Sequence, residues 1–272
     1  MENWLKQVKD NWNETADSDW YRSLRTDENI EELVKEPASA FHPSVYQLIN
    51  KYMPELRGKK VLLPSSGDNH AAFAFALLGA EVTSADISEK QLEYAKGIAD
   101  KLNLNIRFVC DDTTQLSNIE DNSFDLVYTS NGTHTWIADI VTMYKNIYRV
   151  LKPTGLSIMF DIHPFNRPFV GEPWKEPEIR KPYEETMPHC HWRVQDLVNA
   201  MIWARLSIRE MEELQAVNAS FWFSYEELIK QKKEELAEIN NWEHNPMAAL
   251  PAWISIVAQK DIRGNVNERL SL

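Results

Sequence analysis

Four short segments hold side chains that could do chemistry, and each follows an apolar run. The run KKVLL (59–63) leads into PSSGDN, where Ser65, Ser66, Gly67 and Asn69 are small enough to let a ligand approach backbone N–H groups at the start of a helix. AEVTSAD (80–86) ends on Asp86, nineteen residues after Gly67. That is close to the spacing of about 20 at which a carboxylate accepts hydrogen bonds from ribose hydroxyls. IRFVC (106–110) is followed by Asp111, Asp112 and Thr113. Two adjacent carboxylates there are costly to bury without a partner, and an adenine amino group is one such partner. FDLVY (124–128) leads into TSNGTHTW, in which Gly132 permits a close backbone approach and His134 and Trp136 share the rim. Plainer readings fit the same residues: an ordinary strand-to-helix turn, an Asp86 that helps to cap the helix starting near Ser88, and a solvated turn at 111–113.

The elements that position these residues are legible in the hydropathy pattern. Together with LSIMFDI (156–162), the runs are short, β-branched or aromatic, and bounded by polar or turn residues, as strands buried on both faces are. HAAFAFALL ends at Gly79, a helix stop. Ser88 with Gln91 starts a second helix, whose apolar face is Leu92, Ala95, Ala99 and Leu102. A third presents Ile137, Ile140, Val141, Tyr144, Ile147 and Tyr148 and stops before the KPTG turn. Strand–helix–strand alternation of this length predicts an α/β fold with a doubly wound parallel sheet, whose ligands sit at the carboxyl ends of the strands.

Flanking this core, residues 1–57 read as a helical cap, and residues 163–192, with six of the thirteen prolines, as a lid or substrate loop. From Arg193 order returns: VQDLVNAMIW reads as a helix, LSIREMEEL as a strand running to the surface, Ser224 to about Ile239 as a further helix, and AWISIVAQK as a closing strand. The units are therefore residues 1–57, 58–162, 163–192 and 193–272.

Composition narrows the function. A formal net charge of −12, with the KQKK cluster at 230–233 flanked by Glu227, Glu234 and Glu235, argues against a nucleic-acid partner. No run approaches the roughly 20 apolar residues of a membrane helix, and the polar N-terminus does not read as a signal peptide, so the expected location is the cytoplasm. Cys110 and Cys190 make no disulfide framework; Cys110, in an apolar run, reads as a buried strand residue.

Taken together, VLLPSSGDN, EVTSADIS, FVCDDTTQL, FDLVYTSNGTH and YRVLKPTG resemble, in order and spacing, the class I S-adenosylmethionine-dependent methyltransferases, in particular the small-molecule group that includes ubiquinone and menaquinone methyltransferases. The resemblance covers residues 59–162, and 193–212 with 252–260 resemble the family's last helix and antiparallel strands. It implies a Rossmann-like, mostly parallel seven-stranded sheet, S-adenosylmethionine as cofactor and a small-molecule acceptor. By the same resemblance, Pro64 to Asn69 would cradle the methionine part of the cofactor. Asp86 would hold the ribose, Ile87 would lie beside the adenine, and Asp112, with Asp111 and Thr113, would read the adenine edge. Ser130, Asn131 and Gly132 would lie near the sulfonium. The family's N-terminal helix often closes over the cofactor, which makes Trp12, Trp20 and Tyr21 lid candidates; packing within a cap explains them equally well.

The sequence departs from the family in the first turn. Leu63 stands where an acidic residue is usual, and Ser65 and Asn69 stand for two of three glycines. This departure supports an alternative, a protein that binds S-adenosylmethionine or S-adenosylhomocysteine without catalysis. A nucleotide-dependent oxidoreductase is disfavoured because GxGxxG is absent. If the acceptor must lose a proton, His134 is the first candidate base and His163, with Asp161 to orient it, the second; each also reads as a structural histidine. Phe165, Phe169, Trp174, Tyr183 and Trp192 in the lid segment, with Trp136 at the rim, suggest a partly apolar substrate. His189 and His191 flank Cys190 without a second ligand cluster, so no metal is expected.

Overall fold

The computed structural model describes residues 2–169, 177–187 and 189–261. In chain order the elements are α1 (Glu2–Thr15), α2 (Asp19–Leu24), α3 (Asp27–Lys35), α4 (Pro43–Tyr52), β1 (Lys60–Pro64), α5 (His70–Leu77), β2 (Glu81–Asp86), α6 (Glu89–Lys101), β3 (Ile106–Cys110) and β4 (Phe124–Thr129). They continue with α7 (Ile140–Val150), β5 (Leu151–Ile162), α8 (Val194–Trp203), β6 (Leu206–Leu214), α9 (Tyr225–Leu228), α10 (Lys233–Glu238) and β7 (Trp253–Lys260). One seven-stranded sheet runs β3-β2-β1-β4-β5-β7-β6. Pairings from β3 to β5 are parallel, and β7 is antiparallel to both β5 and β6. The chain order reverses between β1 and β4, so the crevice outside their carboxyl ends is where this topology opens a ligand site.

Strand periodicity divides the core. Val61 and Leu63 pack on one face of the sheet with α4 and α5, whereas Leu62 packs on the other with α7 and α8. Helix α7 buries Ile140, Met143, Tyr144, Ile147 and Val150, a stripe at helical spacing. Each such side chain contributes about 1.5–3 kcal/mol on burial. Asp139 caps α7 by accepting from the Thr142 N–H at 2.9 Å, so the helix begins three residues after Ile137.

Three details differ from expectation. KPTG lies within β5 as an outward loop: Phe124 pairs with Leu151 but Leu126 with Leu156. Thr154 there takes a φ of +66°. A side chain at Gly155 would come within 3.0 Å of the Lys152 and Phe124 carbonyl oxygens, so only glycine fits. The helix expected from Ser224 to about Ile239 is two short ones, α9 and α10, separated where Lys232 turns extended. No glycine or proline marks that break. Cys110 is exposed, not buried, because β3 is an edge strand covered incompletely by its neighbours.

Candidate functional site

The turn after β1 keeps an unusual backbone despite its missing glycines. Ser65, Gly67 and Asn69 all lie in the left-handed region, at φ of +53°, +53° and +65°. Asparagine tolerates that region better than most residues, and each substitute is also held by its side chain. The Asn69 amide donates to the Gly67 carbonyl at 2.8 Å and accepts from the Ser84 hydroxyl, with no exposure to solvent. Ser65 Oγ and Thr113 Oγ1 lie 2.7 Å apart, tying the turn to the end of β3. Leu63 sits in the core at 3% exposure.

Asp86, at the end of β2, braces this turn. Its Oδ2 accepts from the Gly67 N–H and its Oδ1 from the Ser88 N–H, each at 2.9 Å. Burial pushes its carboxyl above the ordinary range, and the backbone N–H groups of Ser88, Gly67 and Ile87 offset part of that rise. At the end of β3, Asp111 accepts from the Asp112 and Asn118 N–H groups, and Asp112 Oδ1 accepts from the Thr114 N–H at 2.8 Å.

The loop after β4 is clamped from beneath by Asp161 of β5. Asp161 accepts from the Gly132 N–H at 2.9 Å, the His134 N–H at 3.2 Å and His134 Nδ1 at 2.8 Å. The other imidazole nitrogen, Nε2, lies 2.8 Å from the Tyr144 hydroxyl. Burial raises the Asp161 carboxyl, but His134, Arg167 and the Gly132 N–H outweigh it and hold the group below the ordinary value.

These loops enclose a cavity of about 240 Å³. Ser65, Gly67, Asp86, Ile87, Asp112, Thr113, Asn131 and Gly132 line it. Helix α1 closes it with Trp4, Leu5, Val8 and Trp12, alongside Tyr21 and Trp136. The Trp12 ring stands edge-on to Trp136 at 5.4 Å and to Tyr21 at 6.2 Å. Ser88 Oγ donates to Asn13 Oδ1 at 2.7 Å, and Tyr94 donates to Asp17 at 2.6 Å. With the ion pairs Lys9–Glu89 and Lys90–Asp17, these bonds fasten α1 and its end to the start of α6. Burial pushes the Tyr21 phenol above its ordinary range, so it stays a neutral hydroxyl.

Comparison with known proteins shows what the segment that builds this cavity resembles. Residues 63–159 match the family described as "Methyltransferase domain". The match is confined to residues 63–159, the part of the chain that resembles a methyltransferase domain. The chain is 34% identical over 113 residues to the "Uncharacterized methyltransferase YbaJ" of Bacillus subtilis, covering 42% of this chain and 44% of that one. It is 33% identical over 126 residues to a ubiquinone biosynthesis O-methyltransferase of Coxiella burnetii, covering 44% and 52%. The chain thus spans about half the length of the curated relatives it matches. The crystal structure of an S-adenosylmethionine-dependent methyltransferase from Mesorhizobium loti shares the fold, with a TM-score of 0.58 at 22% identity over 79% of this chain and 96% of that one.

The expected residues are divided between the first cavity, its bracing loops and other places. Eight of the cofactor candidates, named above, line the cavity. Pro64, Ser66, Asn69 and Asp111 do not line it; the last three brace its loops through hydrogen bonds, Ser66 through Ser84 at 2.8 Å. Ser130 and Trp20 line a second cavity of about 330 Å³, which meets the first at Asn131. His134 and His163 line neither. His163 is fully buried, with Nε2 2.8 Å from Glu213 and Nδ1 accepting from the Phe165 N–H, and burial lowers its pKa. Phe165 is exposed against His163 and Tyr183. Trp174 lies outside the described residues. His189, Cys190 and His191 pack near Trp136 and Thr135, and among the described residues no group of three potential ligands converges.

Sequence reasoning passed over Trp4 and Val8, although their spacing to Trp12, at i, i+4 and i+8, was the available signal. It also passed over the second cavity, lined among others by Phe41, His42, Asp68, Tyr128, Phe160 and Trp253. No local spacing announces that group, since its residues come from segments spread along the whole chain.

Proposed function

We propose that this protein transfers a methyl group from S-adenosylmethionine to a small-molecule acceptor in the cytoplasm. The observation that carries the reading is Asp86: a buried carboxylate that lines the first cavity and is fixed from both sides by backbone N–H groups. Its oxygens retain lone pairs for two hydroxyl donors, as a ribose presents. The rest of the lining suits the same cofactor. Gly67 and Gly132 give bare left-handed backbone, Ile87 and the Asp112–Thr113 edge suit an adenine, and the tryptophans exclude water at the opposite wall.

When bound, the cofactor supplies an electrophilic methyl on a sulfonium. The chain's own part is to hold, align and desolvate, and alignment of this kind contributes up to about 7–11 kcal/mol. Asn131, shared by the two cavities, is the contact between cofactor and acceptor sites. His134 serves here as a clamp on the loop that carries Asn131 and Gly132, since both of its ring nitrogens are engaged. The left-handed backbone at Ser65 and Asn69 supports cofactor binding over a disabled turn. The ubiquinone biosynthesis O-methyltransferase among the relatives supports a small acceptor, as does the strongly negative net charge against nucleic acid. No helix among the described residues is long and apolar enough to cross a membrane.

Crystals grown with S-adenosylhomocysteine test the placement. The expected density puts ribose hydroxyls within hydrogen-bond distance of Asp86. A ligand bound elsewhere, with Asp86 uncontacted, would refute it.

A further inference from the structure

The second cavity has a charge pattern that selects its ligand. Phe41, Tyr128, Phe160, Phe221 and Trp253 give it an aromatic wall, with Phe160 and Trp253 rings 4.9 Å apart and Phe221 and Trp253 4.8 Å apart. Asp68 is the one carboxylate among the described residues that line it, and no lysine or arginine is among them. Two histidines also line it. The His42 Nδ1 accepts from the Ser44 N–H at 3.3 Å, and burial holds the imidazole below its ordinary pKa against a weaker opposing pull from the Gln215 backbone, so it is uncharged at neutral pH. His70 is bound to the Leu24 carbonyl through Nε2 at 3.0 Å. A carboxylate or phosphate on a ligand would therefore meet no lysine or arginine and one like charge. An ammonium group would meet aromatic faces and a counter-ion, the combination that recognises organic cations. A net charge of −12 also favours the approach of a cation over an anion.

We infer that the second cavity binds an organic amine or ammonium group, which makes an aliphatic amine the class of methyl acceptor. The acceptor role rests on the proposed function; the binding specificity does not. The chemistry balances: the bound ammonium first gives a proton to water, the freed nitrogen lone pair forms the new N–C bond, the C–S pair stays on sulfur, and the positive charge returns to nitrogen, facing the aromatic wall and Asp68. No lysine or arginine lines the cavity to hold an acceptor in anionic form before methylation neutralises it.

The test uses choline and its uncharged isostere 3,3-dimethylbutan-1-ol, titrated into the full chain with S-adenosylhomocysteine saturating the first cavity. The S-adenosylhomocysteine titration is run first and judges the proposed function separately; if that ligand does not bind, the two probes are titrated into the free protein. Choline is expected to bind at least tenfold more tightly than the isostere. Asp68→Asn and Trp253→Leu should each remove most of that preference, with the isostere's affinity nearly unmoved by Asp68→Asn. Equal affinity for the two probes, no binding of either, or a preference that survives both substitutions would overturn the inference. Should either variant fail to fold, the wild-type comparison of choline with its isostere still decides.

Discussion

Removing the Asp86 carboxylate is the perturbation whose consequences can be worked through most fully. The side chain is 5% exposed and its two oxygens hold the Gly67 and Ser88 N–H groups at 2.9 Å. In Asp86→Ala a bound cofactor loses a charged acceptor, a contact worth about 1.5–3 kcal/mol. At about 1.4 kcal/mol per factor of ten, affinity for S-adenosylhomocysteine should fall roughly 10–100-fold. The two freed N–H groups cost about 1–3 kcal/mol each where water cannot reach them. Isothermal titration reads the first effect and urea unfolding the second. The wild type adds a pH signature. Burial raises the folded carboxyl above its unfolded value of 3.8, so the fold holds an extra proton between the two. Any stability this proton confers is complete below the unfolded value and is lost as pH rises through the folded one. Hydroxyl donors prefer the ionised form, so cofactor affinity should strengthen with pH up to the raised value and then level off. Unchanged affinity in the alanine variant would refute the placement of the ribose at Asp86.

Three further substitutions probe the frame around that contact. Asn69→Ala should destabilise the protein by about 2–3 kcal/mol in urea unfolding, because it strips two hydrogen bonds from a fully buried side chain and leaves a non-glycine at φ +65°; a loss under about 0.5 kcal/mol would contradict the account of the turn. His134→Ala should cost about 3–5 kcal/mol by leaving Asp161 buried without its main partner; a variant of native stability that has lost only methyl transfer would restore His134 as a base. Trp12→Ala opens the wall that α1 builds over the first cavity and should weaken S-adenosylhomocysteine binding about tenfold with little change in unfolding free energy; an affinity equal to the wild type would dismiss the cap as part of the site.

What the sequence discloses is mostly what local spacing encodes. The five parallel strands, α8 over Val194–Trp203 and β6 over Leu206–Leu214 follow from periodicity and end signals alone. So does Asp86, whose distance from Gly67 follows from the length of one helix and one strand. Other features depend on tertiary context. Cys110 has the neighbours of a buried residue in sequence but lies on an edge strand. The KPTG turn is absorbed into β5 by a register shift that only its pairing with β4 defines. His134 carries the same signal whether it is a base or a clamp; Asp161 and Tyr144, twenty-seven and ten residues away, decide between them. The second cavity draws on residues from Trp20 to Trp253, and no pattern along the chain gathers them.

Binding of the cofactor itself is the most direct test of the central claim. Isothermal titration of the intact chain with S-adenosylmethionine and S-adenosylhomocysteine should give one site per chain and micromolar affinity for both. No heat of binding for either at millimolar ligand would contradict the account and leave the turn at Leu63, Ser65 and Asn69 as a disabled site.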